Sequence, residues 1–101
     1  MDLNQLDWRE KSSNDNNSII LDVRTSHEVE EGMITGSINI DIYEGHIFLE
    51  KIKKLDKTKS YYVYCKAGAR SAQACAIMQQ LGFEKTYNLL GGISNWNGSI
   101  S

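Results

Sequence analysis

Proline is absent from the 101 residues of this chain. Without its fixed φ, tight turns fall to glycine, asparagine, aspartate and serine. Cysteine is scarce: Cys65 and Cys75 lie ten residues apart, with no Cys-x-x-Cys spacing and no histidine close by. Such usage indicates no disulfide framework and argues against a metal site; no cofactor of any kind is expected. No apolar run approaches the roughly 18 residues that a membrane span needs. Positive charge is not in excess either. Eleven Lys+Arg against thirteen Asp+Glu leave a net charge of -2, so no basic footprint points to nucleic acid. The segment from Met1 to Lys11 alternates polar and apolar residues and has no signal-peptide core, which favours a cytoplasmic location.

What is present suits one soluble domain over residues 1–101. The chain is 41% hydrophobic and 24% charged, ordinary values for a globular protein. Residues 12–18, rich in serine and asparagine, are the only biased stretch and read as a solvated loop. After it, Ile19-Ile20-Leu21-Asp22-Val23 has the continuous apolar character of a fully buried strand. Residues 37–40, 61–64 and 86–90 give three more short strands. Between them, Ile47, Phe48, Ile52 and Leu55 form one helical face. Ala74, Ile77, Met78 and Leu81 form another, with Gly82 as its stop. Short buried strands alternating with helices predict an α/β fold, a parallel sheet covered on both faces. The functional crevice of such a sheet lies at the carboxyl ends of its strands.

One strand-to-helix junction stands out chemically. Cys65 closes the run Tyr61-Tyr62-Val63-Tyr64 and is followed by Lys66-Ala67-Gly68-Ala69-Arg70, with a helix beginning near Ser71. Backbone N–H groups of such a loop and the first helical turn converge on one spot and favour a thiolate over a thiol. Gly68 is free to adopt positive φ, and Lys66 and Arg70 add cationic character to the rim. A buried, inert cysteine at a strand end is the competing reading; the loop, the glycine and the two cations weigh against it. Arg70 itself has two readings: an anion ligand facing the pocket, or a brace paired with Asp22 or Glu28. Asp22 and Arg24 read as a structural ion pair at a strand end. Cys75 reads as a packing residue, His27 and His46 as surface residues, and Trp96 as a core or edge anchor. Lys51, Lys53, Lys54, Lys57 and Lys59 read as a solvated basic face. Gly91 and Gly92 read as a turn beside the loop.

Four ordered segments carry a family resemblance. Cys65-Lys66-Ala67-Gly68-Ala69-Arg70-Ser71 resembles the active-site loop of single-domain rhodaneses. Leu21-Asp22-Val23-Arg24, with Glu28 after it, resembles the family's early strand end. The stretch from Gly32 to Ile40 resembles its Gly-His-Ile-Pro-Gly-Ala-x-Asn-Ile segment, with Met33 and Thr35 in place of the histidine and proline. The stretch from Leu90 to Trp96 resembles its closing Leu-x-Gly-Gly-x-x-x-Trp. Together they span about residues 18–97.

The resemblance implies a rhodanese-like fold, a central parallel sheet of about five strands with helices on both faces. It also implies a sulfurtransferase (thiosulfate sulfurtransferase-like) whose catalytic residue is Cys65. The loop from Lys66 to Ser71 would bind the substrate, and Asp22, Arg24 and Glu28 would support it. Cys65 would take sulfur from a small anionic donor such as thiosulfate, hold it as a persulfide, and pass it to a thiol or cyanide. A sulfur relay to an acceptor protein, or a partner-binding module of the same fold, is the alternative. A cysteine phosphatase is a weaker rival, because it needs Cys-x5-Arg and this chain has Cys-x4-Arg from Cys65 to Arg70.

Overall fold

Strands without a polar face must be covered on both sides, and the chain meets that need by interleaving helices between them. In the computed structural model, which describes residues 1–101, the order is β1 (Asp2–Leu3), α1 (Gln5–Ser13), β2 (Ser18–Asp22), α2 (Ser26–Glu30) and β3 (Ser37–Asn39), then α3 (His46–Lys53), β4 (Ser60–Tyr64), α4 (Ala69–Gln80) and β5 (Thr86–Leu89). Short 3-10 turns at Ile42–Glu44 and Ile93–Asn95 complete it. The five strands form one sheet in the order β1-β5-β4-β2-β3. Every pairing is parallel.

The central strand β4 is buried throughout, and its alternation divides the core in two. Tyr61 and Val63 face a cluster with Phe48 and Ile52 of α3 and Ala74, Cys75 and Met78 of α4. Tyr62 and Tyr64 face the opposite layer, where Trp8 of α1, Ile34 and Leu89 gather. Three tyrosines in a central strand need partners for their hydroxyls, and each has one. Tyr61 donates to the Asp56 carbonyl, Tyr62 to the Asp15 carboxylate and Tyr64 to the Asp22 carboxylate. The register sets Asp22 beside Tyr64, so the carboxyl ends of β2 and β4 lie side by side in the middle of the sheet.

Four strands and two helices lie where the hydrophobic pattern predicts them. The strand expected over residues 37–40 ends at Asn39, although the Ile40 N–H still donates to the Asp22 carbonyl at 2.9 Å. The fifth strand, β1, has only two residues, too few to show a period. Helix α1 escapes the pattern because it buries only Trp8 and Ser12 and leaves Leu6 72% exposed. Its cap is visible in the sequence: the Asn4 side chain accepts from the Asp7 N–H. The loop expected at residues 12–18 is correspondingly shorter, since α1 runs to Ser13 and β2 starts at Ser18. Helix α2 buries no residue and is signalled by a capping box, Thr25 with Glu28. No helix is long and apolar enough to cross a membrane.

Trp8 is the one large apolar side chain that α1 buries, stacked edge-on against Tyr62, Tyr64 and Trp96. Trp8→Ala is therefore expected to cost about 3–5 kcal/mol in urea unfolding. Leu6→Ala on the same helix should stay within about 0.5 kcal/mol.

Candidate active site

Strand β4 stops at Tyr64, and the loop from Cys65 to Gly68 delivers the chain to the first residue of α4, Ala69. Gly68 makes the turn at φ +112, a conformation that side chains disfavour. That geometry aims its N–H at the Cys65 Sγ, 3.0 Å away. The Ser71 hydroxyl stands 3.3 Å from the same sulfur. Cys65 is only 1% exposed. Burial is the largest influence on its thiol and opposes ionisation. The Ser71 hydroxyl and the N–H groups of Ser71, Gly68 and Ala67 together outweigh it, and the thiol is lowered from its ordinary value. Cys75, within α4, has no such donor set, and burial pushes it up to about 11.

The loop is held from behind by the segment after β5. Ile93 N–H donates to the Cys65 carbonyl and Ser94 N–H to the Lys66 carbonyl, both at 3.0 Å. The backbones approach so closely that a Cβ on Gly92 would lie 2.6 Å from the Cys65 carbonyl oxygen. The glycine pair is thus a clasp on the cysteine loop. Asn88 of β5 adds a side-chain donor to the Gly68 carbonyl at 3.3 Å. Residue types alone do not single out Asn88, Ile93 or Ser94 for this work. The adjacent Gly91-Gly92 is the one signal that could have.

Two ion pairs brace the crevice. Asp22 is fully buried and accepts from the Arg24 N–H, the Arg24 guanidinium and the Tyr64 hydroxyl. Arg24 also donates to the Gly32 carbonyl at 2.8 Å. The pair ties the end of β2 to β4 and to the turn after α2. Arg70, in the first turn of α4, turns to α2 and grips both Glu28 oxygens at 2.7 and 2.9 Å. The hydrogen bond from Arg70 is the main reason that the Glu28 carboxyl falls to about 2. Of the two readings of Arg70, the brace with Glu28 is the observed geometry.

Lys66, Ala67 and Ala69 are exposed on the rim. Lys66 makes no ion pair, so it carries the unneutralised positive charge of the loop. It lines an open cavity of about 360 Å³ with Arg24, Glu31, Gly32, Ser94 and Ile100; Cys65 is not among its walls. His27, His46, Lys51, Lys53, Lys54 and Lys57 are exposed and Lys59 is half-buried; the partners of His46, Lys51 and Lys57 are Glu50, Glu44 and the Phe83 ring, away from the loop. Trp96 packs against Trp8 in the far core layer. No cluster of three or more His, Cys, Asp or Glu is arranged to hold a metal ion.

The contrast between the two thiols is measurable. Across a pH series with iodoacetamide, peptide mass spectrometry should find Cys65 modified at lower pH than Cys75. The Glu28–Arg70 pair makes a second forecast. A carboxyl held at about 2 instead of 4.5 adds stability that is present above pH 4.5 and lost as pH falls towards 2. Glu28→Gln should remove that part of the acid dependence in urea melts.

Comparison with known proteins bears on this geometry. The rhodanese-like domain family matches residues 5–99. A sulfurtransferase of Allochromatium vinosum is 35% identical over 78 residues, covering 77% of this chain and 70% of that protein. YtwF of Bacillus subtilis, also named as a sulfurtransferase, is 38% identical over 90 residues, covering 89% of this chain and 84% of its own. The crystal structure of a rhodanese-related protein from Thermoplasma volcanium superposes with a TM-score of 0.83 at 35% identity, over 99% of this chain and 96% of that one. Other relatives are named differently: this chain covers 25% of a tRNA uridine(34) hydroxylase of Cytophaga hutchinsonii, at 39% identity. With its parallel five-stranded sheet, its helices on both faces and its cysteine loop at the end of the central strand, the chain belongs to the rhodanese-like domain family.

Proposed function

We propose that the protein is a sulfurtransferase that carries sulfur as a persulfide on Cys65. The observation that supports this most directly is the pair of donors on one buried sulfur: Gly68 N–H at 3.0 Å and the Ser71 hydroxyl at 3.3 Å. A site that stabilises a sulfur anion before reaction also suits the anion of a persulfide after it.

Two half-reactions follow. The Cys65 thiolate attacks the outer sulfur of a donor such as thiosulfate. The new S–S bond forms as the old one breaks, and sulfite leaves with the bonding pair. The Cys65 persulfide remains against the loop N–H groups. The thiolate of an acceptor then attacks the terminal sulfur, and Cys65 departs as the thiolate with which the cycle began. Cyanide serves as a small acceptor in the same step. No proton has to be delivered to either leaving group at neutral pH. Covalent transfer of this kind gives ping-pong kinetics. Lys66, exposed and unpaired at the rim, supplies attraction for an anionic donor.

Phosphate-ester hydrolysis suits this geometry less well. The loop from Cys65 to Arg70 is a Cys-x4-Arg ring, tighter than the Cys-x5-Arg ring that encircles a phosphoryl group. Arg70 is also engaged with Glu28, which leaves no guanidinium free to clamp a phosphate.

Incubation with thiosulfate should raise the intact mass by one sulfur atom, and Cys65→Ser should abolish both that gain and thiocyanate formation from cyanide. Cys75→Ser should retain most activity. Full turnover by Cys65→Ser would overturn the reading. Lys66→Ala should raise KM for thiosulfate about fivefold, the factor that about 1 kcal/mol of screened attraction gives, with kcat little changed. High ionic strength should reproduce that effect in the unaltered protein.

A further inference from the structure

The Ser71 hydroxyl has one proton and two acceptors within reach: the Cys65 sulfur at 3.3 Å and the Gly68 carbonyl at 3.2 Å. Which of them receives it decides whether Ser71 helps to hold a sulfur anion. A carbonyl oxygen accepts two hydrogen bonds well. That of Gly68 already has the Ala72 N–H at 3.1 Å and the Asn88 side-chain amide at 3.3 Å. With both lone pairs occupied, the sulfur is the acceptor left to Ser71.

We propose that Asn88 is a positioning residue: by occupying the Gly68 carbonyl it commits the Ser71 proton to the Cys65 sulfur. Two further features of Asn88 point the same way. Its amide orientation is settled by its neighbours, because Asp2 Oδ1 at 3.1 Å and the Gly68 carbonyl are both acceptors, and only the nitrogen can face them. Its other end is unsatisfied. Asn88 is 2% exposed, and its Oδ1 is the one buried side-chain oxygen or nitrogen with no hydrogen-bond partner. An orphaned buried carbonyl is costly, and an apolar residue of similar size would avoid that cost. What an apolar residue would lose is the donor to Gly68. The register of β5 explains why this position reaches the loop: Asn88 pairs with Val63 of β4 on one side and with Asp2 of β1 on the other.

The inference rests on Cys65 being the reactive thiol. Its test reads thiolate formation without any sulfur donor, so failure of sulfur transfer would be told apart from failure of this idea. The charged groups around the loop are Lys66, Arg70 with its partner Glu28, the Asp22–Arg24 pair, and Asp2 and the N-terminal amine behind Asn88. Asn88→Leu removes none of these charges, and Asp2→Ala controls for the hydrogen bond that Asp2 loses. Iodoacetamide alkylation of Cys65 is followed across pH in the unaltered protein and in Ser71→Ala, Asn88→Ala, Asn88→Leu, Asp2→Ala and Ser71→Ala/Asn88→Leu. Asn88→Leu keeps the volume should the alanine variant fold poorly. Ser71→Ala and either Asn88 variant should each move the profile to higher pH and slow alkylation at pH 7 by about threefold to tenfold. Adding Asn88→Leu to Ser71→Ala should change nothing further, and Asp2→Ala should leave the profile in place. An unmoved profile in Ser71→Ala overturns the proposal whatever the Asn88 variants do. So does an Asn88 effect of equal size in the Ser71→Ala background, or one that Asp2→Ala reproduces, since either would mean that Asn88 acts through packing or charge alone.

Discussion

A buried thiol ringed by hydrogen-bond donors that favour its anion is the feature around which this protein is arranged. Cys65 is 1% exposed, and removal from water alone would keep its thiol protonated, as it does for Cys75. The opposing force comes from donors that the fold orients in advance. Gly68 at positive φ turns its N–H onto the sulfur, and the first turn of α4 brings the N–H and hydroxyl of Ser71. These donors cannot turn away to water, because the loop has little freedom. Its carbonyls at Cys65 and Lys66 are taken by Ile93 and Ser94, and its glycine carbonyl by Asn88 and Ala72.

Charged side chains here support the loop from a distance. Asp22 and Arg24 are both buried and joined at 2.7 Å, an arrangement whose desolvation cost limits what it adds to stability. Its value is positional, since Asp22 also holds Tyr64, the residue before Cys65. Glu28 and Arg70 do the equivalent on the other side of the loop, joining the capped start of α2 to the start of α4. With Arg70 engaged in this way, recognition of the proposed anionic sulfur donor would fall to Lys66 and to the loop N–H groups. This division fits sulfur better than phosphate, because a single soft anion needs a few aligned donors and not a bidentate cation.

Much of this was legible from residue order. Continuous apolar runs around Leu21 and Val63 marked buried parallel strands, because a strand covered on both faces has no reason to alternate. The spacing of Ala74, Ile77, Met78 and Leu81 marked α4, because one face of that helix meets the sheet. Those elements alone place Cys65 between a strand end and a helix start. Helices α1 and α2 were not legible by period, since one is held by Trp8 and a cap and the other buries nothing. Strand β1 has two residues and exists only through its pairing with β5.

Local order therefore determined where Cys65 would stand and which small residues would surround it, because periodicity and turn chemistry act over a few neighbouring positions. Tertiary structure decided how the polar groups are shared among distant segments. Arg70 had two open partners in the sequence, and the packing of α2 beside α4 selected Glu28, 42 residues away. Asn88 was one polar residue in a strand until the sheet set it beneath Gly68, 20 residues away. Hydrogen bonds and ion pairs depend on atoms meeting at about 3 Å, and over such separations only the folded chain brings them together.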